Sequence, residues 1–365
     1  MNDNSAEDST LVSQTTSFVG YLIRWLDNYS FSMLNDSERG YTFALLIESL
    51  SRMFRLVLRQ PSRLQSALSS ELATRGYTED HREGVISSAT LRIVDHSFFR
   101  ATGSKARLPT IIGVRVQEQV PTDVVDVIST IEGIKNEEQQ RLLKEGVNRV
   151  LESYQIVDAL AQRTETQYSP QEDDERLERL WRRLKPEVPL GGLINKQWRD
   201  LGFQGTSPVS DFRGLGILAL DSFLYFAQEH NERAIKLVDE AVNGGEKWYP
   251  AALASIHMTA FVYELAMGRE LQLFLLRSLQ TKGPLQLDPD EEPAKEDIRT
   301  SAAYQSVLGL SAELLLAFHE YWMLNDYNVM QFEQVSKSFQ SKVKPSILKG
   351  SVDFTELKAP TNKKD

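Results

Sequence analysis

The 365-residue chain carries 41 lysines and arginines against 51 aspartates and glutamates, a net charge of -10, with 41% hydrophobic residues and no cysteine. That length and apolar content suffice for a substantial core in one large or two modest domains. The acidic balance argues against general nucleic-acid binding, which needs a positive field, and the missing cysteines exclude disulfides, thiolate zinc sites and cysteine nucleophiles.

The first residues, M-N-D-N-S-A-E-D-S-T, are acidic and polar, unlike a signal or transit peptide, and Asn2 excludes N-myristoylation. The longest uncharged runs, 9–23 and 248–263, are too short and too polar to span a membrane. They read as buried or interfacial helices.

In chain order, apolar spacing predicts a packing helix over 11–28 and a longer one over 37–58. Pro61 opens the next helix, to about Thr74. Residues 82–101 follow as a helix, then an ambiguous connector at 108–121 containing T-I-I-G-V-R-V. Helices are expected over 124–134 and 137–162. The polar stretch 163–171 is the best linker candidate.

Residues 172–186, E-D-D-E-R-L-E-R-L-W-R-R-L-K-P, place acids in the first turn and bases in the last, as the helix dipole favours. Its basic cluster, Arg179, Arg182, Arg183 and Lys185, reads as a solvated helix end. A glycine-rich loop then leads into an apolar helix over 215–226. Further helices fall at 231–242 (ended by Asn243-Gly244-Gly245), 250–266, 270–280, 300–324 and 329–343, with an acidic loop at 283–293 and a frayed tail after Pro345. No repeat and no strand–helix alternation is visible. The fold class is all-α.

Self-contained catalytic machinery is missing from the sequence. There is no G-x-x-x-x-G-K-[ST], no H-E-x-x-H and no G-x-S-x-G. Gly214-Leu215-Gly216 lacks the third glycine and the preceding strand of a dinucleotide site. The five histidines, His81, His96, His230, His257 and His319, are scattered, and His319 on its apolar helix reads as a hydrogen-bonded core residue.

The informative stretch is W-R-D-L-G-F-Q-G-T-S-P-V-S-D-F-R-G-L-G-I-L-A-L-D-S-F, residues 198–223. It resembles the signature of the ELMO domain. Trp198, Gly202, Phe203, Gln204, Pro208, Asp211, Phe212, Arg213, Gly214, Gly216 and Leu220 stand where that signature asks. Ser210 replaces a threonine and keeps the hydroxyl; Phe223 replaces a leucine and stays apolar. The resemblance extends over roughly 172–343, through L-W-R-R-L-K-P, W-Y-P-A-A-L-A-S-I-H and A-F-H-E-Y-W.

The chain is too short for the large ELMO scaffolds that work with DOCK exchange factors on Rac. The resemblance therefore implies the shorter ELMO-domain-containing branch, whose members look like GTPase-activating proteins for Arf and Arf-like GTPases. It implies a helical N-terminal region over 1–165, a multi-helix ELMO domain over 166–347 and a flexible tail over 348–365.

By the same resemblance Arg213 is the catalytic arginine finger. GTP hydrolysis spreads charge over the phosphate oxygens, and a guanidinium supplied in trans adds about 10³ to 10⁵ in rate. GTP and magnesium then belong to the partner, and this chain needs no cofactor or metal of its own. The expected location is cytoplasmic, peripheral on endomembranes through the partner.

Three alternatives stay open at this level. Arg213 pairs with Asp211 or caps a helix. Gln204 is a buried amide holding the loop backbone, or it takes over water positioning in the GTPase. The whole chain is a non-catalytic interaction module for a GTPase or exchange factor. Trp198, Phe203 and Phe212 read as anchors of the loop. Gly202, Gly205, Gly214 and Gly216 read as permitting close approach to the partner's nucleotide.

Overall fold

The structure, a computed structural model, describes residues 61–76, 86–101, 121–280 and 302–350. The helices expected at 11–28 and 37–58, most of the connector at 108–121, the loop at 283–293 and the chain beyond 350 lie outside the described residues. Every regular element described is a helix, so the all-α expectation holds. The described residues divide into two compact units, one comprising 61–76, 86–101 and 121–148, the other 149–280 and 302–350.

The first unit contains α1 (Arg63–Gly76), α2 (Ser88–Ala101), α3 (Pro121–Glu132) and the opening turns of α4 (Glu137–Glu165). Helix α1 starts at Arg63 and not at Pro61, and Ser62 caps it: its hydroxyl accepts the Gln65 N–H at 3.1 Å while Gln65 Oε1 accepts the Ser62 N–H at 2.9 Å. This reciprocal box satisfies two donors that a helix start leaves orphaned. Leu64, Leu68, Leu91, Val94, Phe98, Leu143 and Val147 form the unit's apolar interior.

The second unit is built from the rest of α4 with α5 (Pro170–Leu184), α6 (Leu218–Glu229), α7 (Asn231–Val242), α8 (Ala251–Met267), α9 (Gln272–Gln280), α10 (Ala302–Met323) and α11 (Phe332–Leu348). Helices α6, α8 and α10 pack on one another at its centre. Both α8 and α10 are apolar on nearly every face, as helices buried on all sides must be. No single described helix is long and apolar enough to cross a membrane.

An aromatic nest of Tyr249, Phe318, Trp322, Phe332 and Phe339 closes one end of this core. Its polar atoms are satisfied: Trp322 Nε1 donates to the Lys247 carbonyl at 2.6 Å. The Tyr249 hydroxyl meets His319 Nδ1 at 3.0 Å, and His319 Nε2 meets Glu240 at 2.9 Å. Burial first, then the nearby Glu240 charge, pushes the Tyr249 phenol well up. His319 is thus the hydrogen-bonded core residue its helix implied.

One expectation fails at the C-terminal end. Pro345 does not end α11; it lies inside the helix, which continues to Leu348. Proline removes one backbone donor, but burial of Val343 and Ile347 on either side holds the last turn in place.

Candidate functional site

The loop between α5 and α6 carries the signature, and short 3₁₀ turns give it shape: Lys196–Leu201, Pro208–Ser210 and Phe212–Gly214. Its aromatic side chains point inward and meet edge to face. Trp181 of α5 lies 5.5 Å from Trp198, Trp198 5.8 Å from Phe203, and Phe203 6.0 Å from Phe212. Phe203 also meets Phe223 of α6 at 6.2 Å. Each such pair adds about 0.5–1.5 kcal/mol beyond its buried area. Trp181 and Trp198 donate their indole N–H groups to the carbonyls of Val188 and Leu193, at 2.6 and 3.0 Å. A loop with few regular hydrogen bonds is thereby fastened to the helices by a continuous row of rings.

Two glycines fit the loop to its own fold. Gly202 has φ +87°, and a Cβ there would lie 2.2 Å from the Ala251 nitrogen at the start of α8. Gly216 has φ +53°, and a Cβ there would lie 2.3 Å from the Thr164 carbonyl oxygen. Both are left-handed positions pressed against backbone, which only glycine tolerates. They serve internal packing and not, as expected, approach to a partner. Gly214 differs: a Cβ there would meet nothing within 4 Å.

The polar residues of the motif face outward. Asp211 accepts the Gln204 backbone N–H at 2.8 Å and the Ser210 hydroxyl at 3.1 Å. Its carboxylate ties the G-F-Q-G segment to the D-F-R-G segment and makes no ion pair with Arg213. Arg213 is exposed, and its Nε donates to the Ser210 carbonyl at 2.8 Å. The two Nη groups have no partner among the described residues. The guanidinium is therefore tethered at one nitrogen and open at its forked end. Gln204 is exposed too, so it is not the buried amide expected from its apolar neighbours. Its backbone, rather than its side chain, holds the loop. Pro208, at the start of the Pro208–Ser210 turn, is buried.

Behind the loop sits an ion cluster that the signature alone does not reveal. Asp221, in the first turn of α6, receives Arg163 Nε at 2.6 Å and Nη2 at 2.9 Å. Arg176 of α5 also donates to Asp221, and to Asp173 at 2.7 Å. Burial disfavours the Arg176 cation, but the Asp221 and Asp173 carboxylates outweigh it and raise its pKa. The Ile217 N–H donates to the Thr166 carbonyl at 3.0 Å. The polar stretch 163–171 is thus clamped to the base of the loop. These groups line a partly open cavity of about 590 Å³ with Tyr225 and Tyr304.

The paired G-F-Q and D-F-R-G turns thus present Gln204 and Arg213 on the surface rim of a helical unit. Residues 158–336 match the sequence model of the ELMO/CED-12 family. The chain thus carries an ELMO/CED-12 domain and is similar to ELMO domain-containing proteins. It is 36% identical over 110 residues to ELMO domain-containing protein B of Dictyostelium discoideum, covering 30% of this chain and 38% of that protein. It is 27% identical over 187 residues to ELMO domain-containing protein 1 of Bos taurus, covering 47% and 52%. It is 28% identical over 183 residues to ELMO domain-containing protein 2 of Homo sapiens, covering 50% and 56%. The chain thus spans about half or less of these relatives' lengths. No solved structure matches it.

Proposed function

We propose that this protein accelerates GTP hydrolysis on a small GTPase of the Arf family, with Arg213 supplied in trans as the arginine finger. The observation that carries the reading is the disposition of Arg213: exposed, oriented through Nε, and free at both Nη groups. A planar fork of this kind bridges two phosphate oxygens and stays charged throughout. The tether limits the conformations lost on docking, and preorganised charge is what stabilises a phosphoryl-transfer transition state.

The diversion of Asp211 to the Gln204 N–H supports the same reading, because an Asp211–Arg213 pair would have neutralised the cation. Gln204, with an unengaged side-chain amide on the same rim, has the chemistry to orient a water. The partner provides nucleotide, magnesium and phosphate-binding loop. Encounter takes place on the cytoplasmic face of endomembranes, where the GTPase resides.

The test is single-turnover hydrolysis on a panel of Arf and Arf-like GTPases. Wild type accelerates at least one of them, and Arg213→Lys and Arg213→Ala lose about 10³-fold or more while melting as wild type does. An Arg213→Lys variant that retains full acceleration rules out the finger. Nucleotide-dependent binding without acceleration by wild type identifies an interaction module instead.

A further inference from the structure

The segment leading into the Lys196–Leu201 turn holds an aliphatic side chain out in water. Ile194 is 81% exposed although the backbone on both sides of it is fixed. The Leu193 carbonyl accepts Trp198 Nε1 at 3.0 Å, and the Asn195 N–H donates to the Thr206 carbonyl at 2.8 Å. The Asn195 side chain caps the following turn by accepting the Gln197 N–H at 3.0 Å. Gln197 braces the segment in turn, accepting the Gly191 N–H at 2.8 Å and donating to the Pro189 carbonyl at 3.0 Å.

Leu190 and Leu193, half-buried, pack against the core, so the segment turns two aliphatic side chains inward and presents the third. Single exposed apolar residues are ordinary. What distinguishes this one is its rigid mount and its link to Arg213. Its neighbour Asn195 is bonded to Thr206. Two residues from Thr206, Gln204 is bonded to Asp211, which lies two residues from Arg213. Lys196 and Arg199, two and five residues further on from Ile194, are exposed, with no ion pair among the described residues, in a chain of net charge -10.

We propose that Ile194 is the apolar anchor of the surface that docks the GTP-bound small GTPase. It seats against the GTPase's nucleotide-ordered switch surface, with Lys196 and Arg199 at its rim, while Arg213 reaches the phosphates. This rests on the function proposed above and assigns a division of labour within it. An aliphatic group on an already ordered segment loses little freedom on binding and contributes to affinity. It holds ground state and transition state alike, so it sets how much activator is needed and not the rate at saturation.

The experiment uses the full chain, as wild type, Ile194→Asp and Ile194→Leu, with the same GTPase panel. Equilibrium binding is measured on GTPases loaded with a non-hydrolysable GTP analogue, and single-turnover hydrolysis on GTP-loaded ones over a range of activator concentrations. Ile194→Asp raises both the Kd and the half-saturating concentration by roughly tenfold or more with the plateau rate unchanged. Ile194→Leu stays within about threefold of wild type, since size and apolarity are kept. An Ile194→Asp protein that binds like wild type, or that loses plateau rate at unchanged Kd, overturns the proposal. If wild type binds a GTPase without accelerating it, only the activator reading falls, and the Kd of Ile194→Asp still decides the anchor. If wild type binds none of the panel, both fall.

Discussion

Replacing Gly216 by alanine places a methyl group 2.3 Å from the Thr164 carbonyl oxygen and 2.7 Å from those of Arg163 and Thr166. None of these atoms is the end of a flexible side chain. All belong to the C-terminal turn of α4 or the residue just after it, and Arg163 is also fixed through Asp221. The φ of +53° adds strain of its own, about 1–2 kcal/mol for an L side chain in the left-handed region. Overpacking against backbone adds about 1–3 kcal/mol. The sum, about 2–5 kcal/mol, is a large part of a typical folding stability of about 5–15 kcal/mol. For a unit of this size it lowers the melting temperature by about 4–20 °C. Gly214→Ala, two residues away, meets open space and changes stability by about 1 kcal/mol or less. Thermal denaturation of the two variants beside wild type decides the matter. A Gly216→Ala protein within about 2 °C of wild type, or a Gly214→Ala protein destabilised as much, would refute the packing argument.

Two further outcomes follow from charged and titratable groups of the second unit. Asp221→Asn keeps the volume but removes the carboxylate that pairs Arg163 and leaves Arg176 with Asp173 alone; the two arginine side chains are 14% and 23% exposed. Urea denaturation should show a loss of about 2–4 kcal/mol, the buried-pair figure reduced for partial exposure, and an unchanged midpoint would make the cluster decorative. His257 has its pKa held below the ordinary value, chiefly by burial, with Lys337 acting the same way and Glu333 opposing. Its folded form favours the neutral ring, so the stability it contributes is complete above its unfolded pKa of about 6.5 and is lost as pH falls through the lower folded value. His257→Gln therefore shows a flatter stability profile between about pH 7 and 5, and equal slopes in the two proteins would contradict this.

Helices of the second unit that are buried on one side, such as α7, were legible because that burial imposes a spacing of three and four residues, whereas α8 showed only as an apolar run. The expected 231–242 coincides with Asn231–Val242, and 250–266 is displaced by one residue from Ala251–Met267. Pro345 was misread because a single-residue rule about proline was weighed against burial that only the fold reveals. In the loop, the motif located the polar residues, while their direction depended on partners distant in spacing. Nothing in D-F-R-G says that Asp211 turns to the Gln204 N–H instead of to Arg213. Gly202, Gly214 and Gly216 read alike in sequence, yet two press on backbone and one faces open space. The Arg163–Asp221–Arg176 cluster joins residues 45 and 58 positions apart, and charged residues at such separations carry no visible pairing signal.

The row of rings from Trp181 to Phe212 bears on how such a protein can be regulated. Many catalytic elements ride on segments that swing between an idle and a working position, and those are controlled by ordering the segment. Here the cation-bearing turn stands on core side chains, with Phe212 itself buried. A turn so mounted has no idle position to retreat to without opening the core. Control then falls on access, through whatever covers the rim or brings a partner to it, and not on the conformation of the turn.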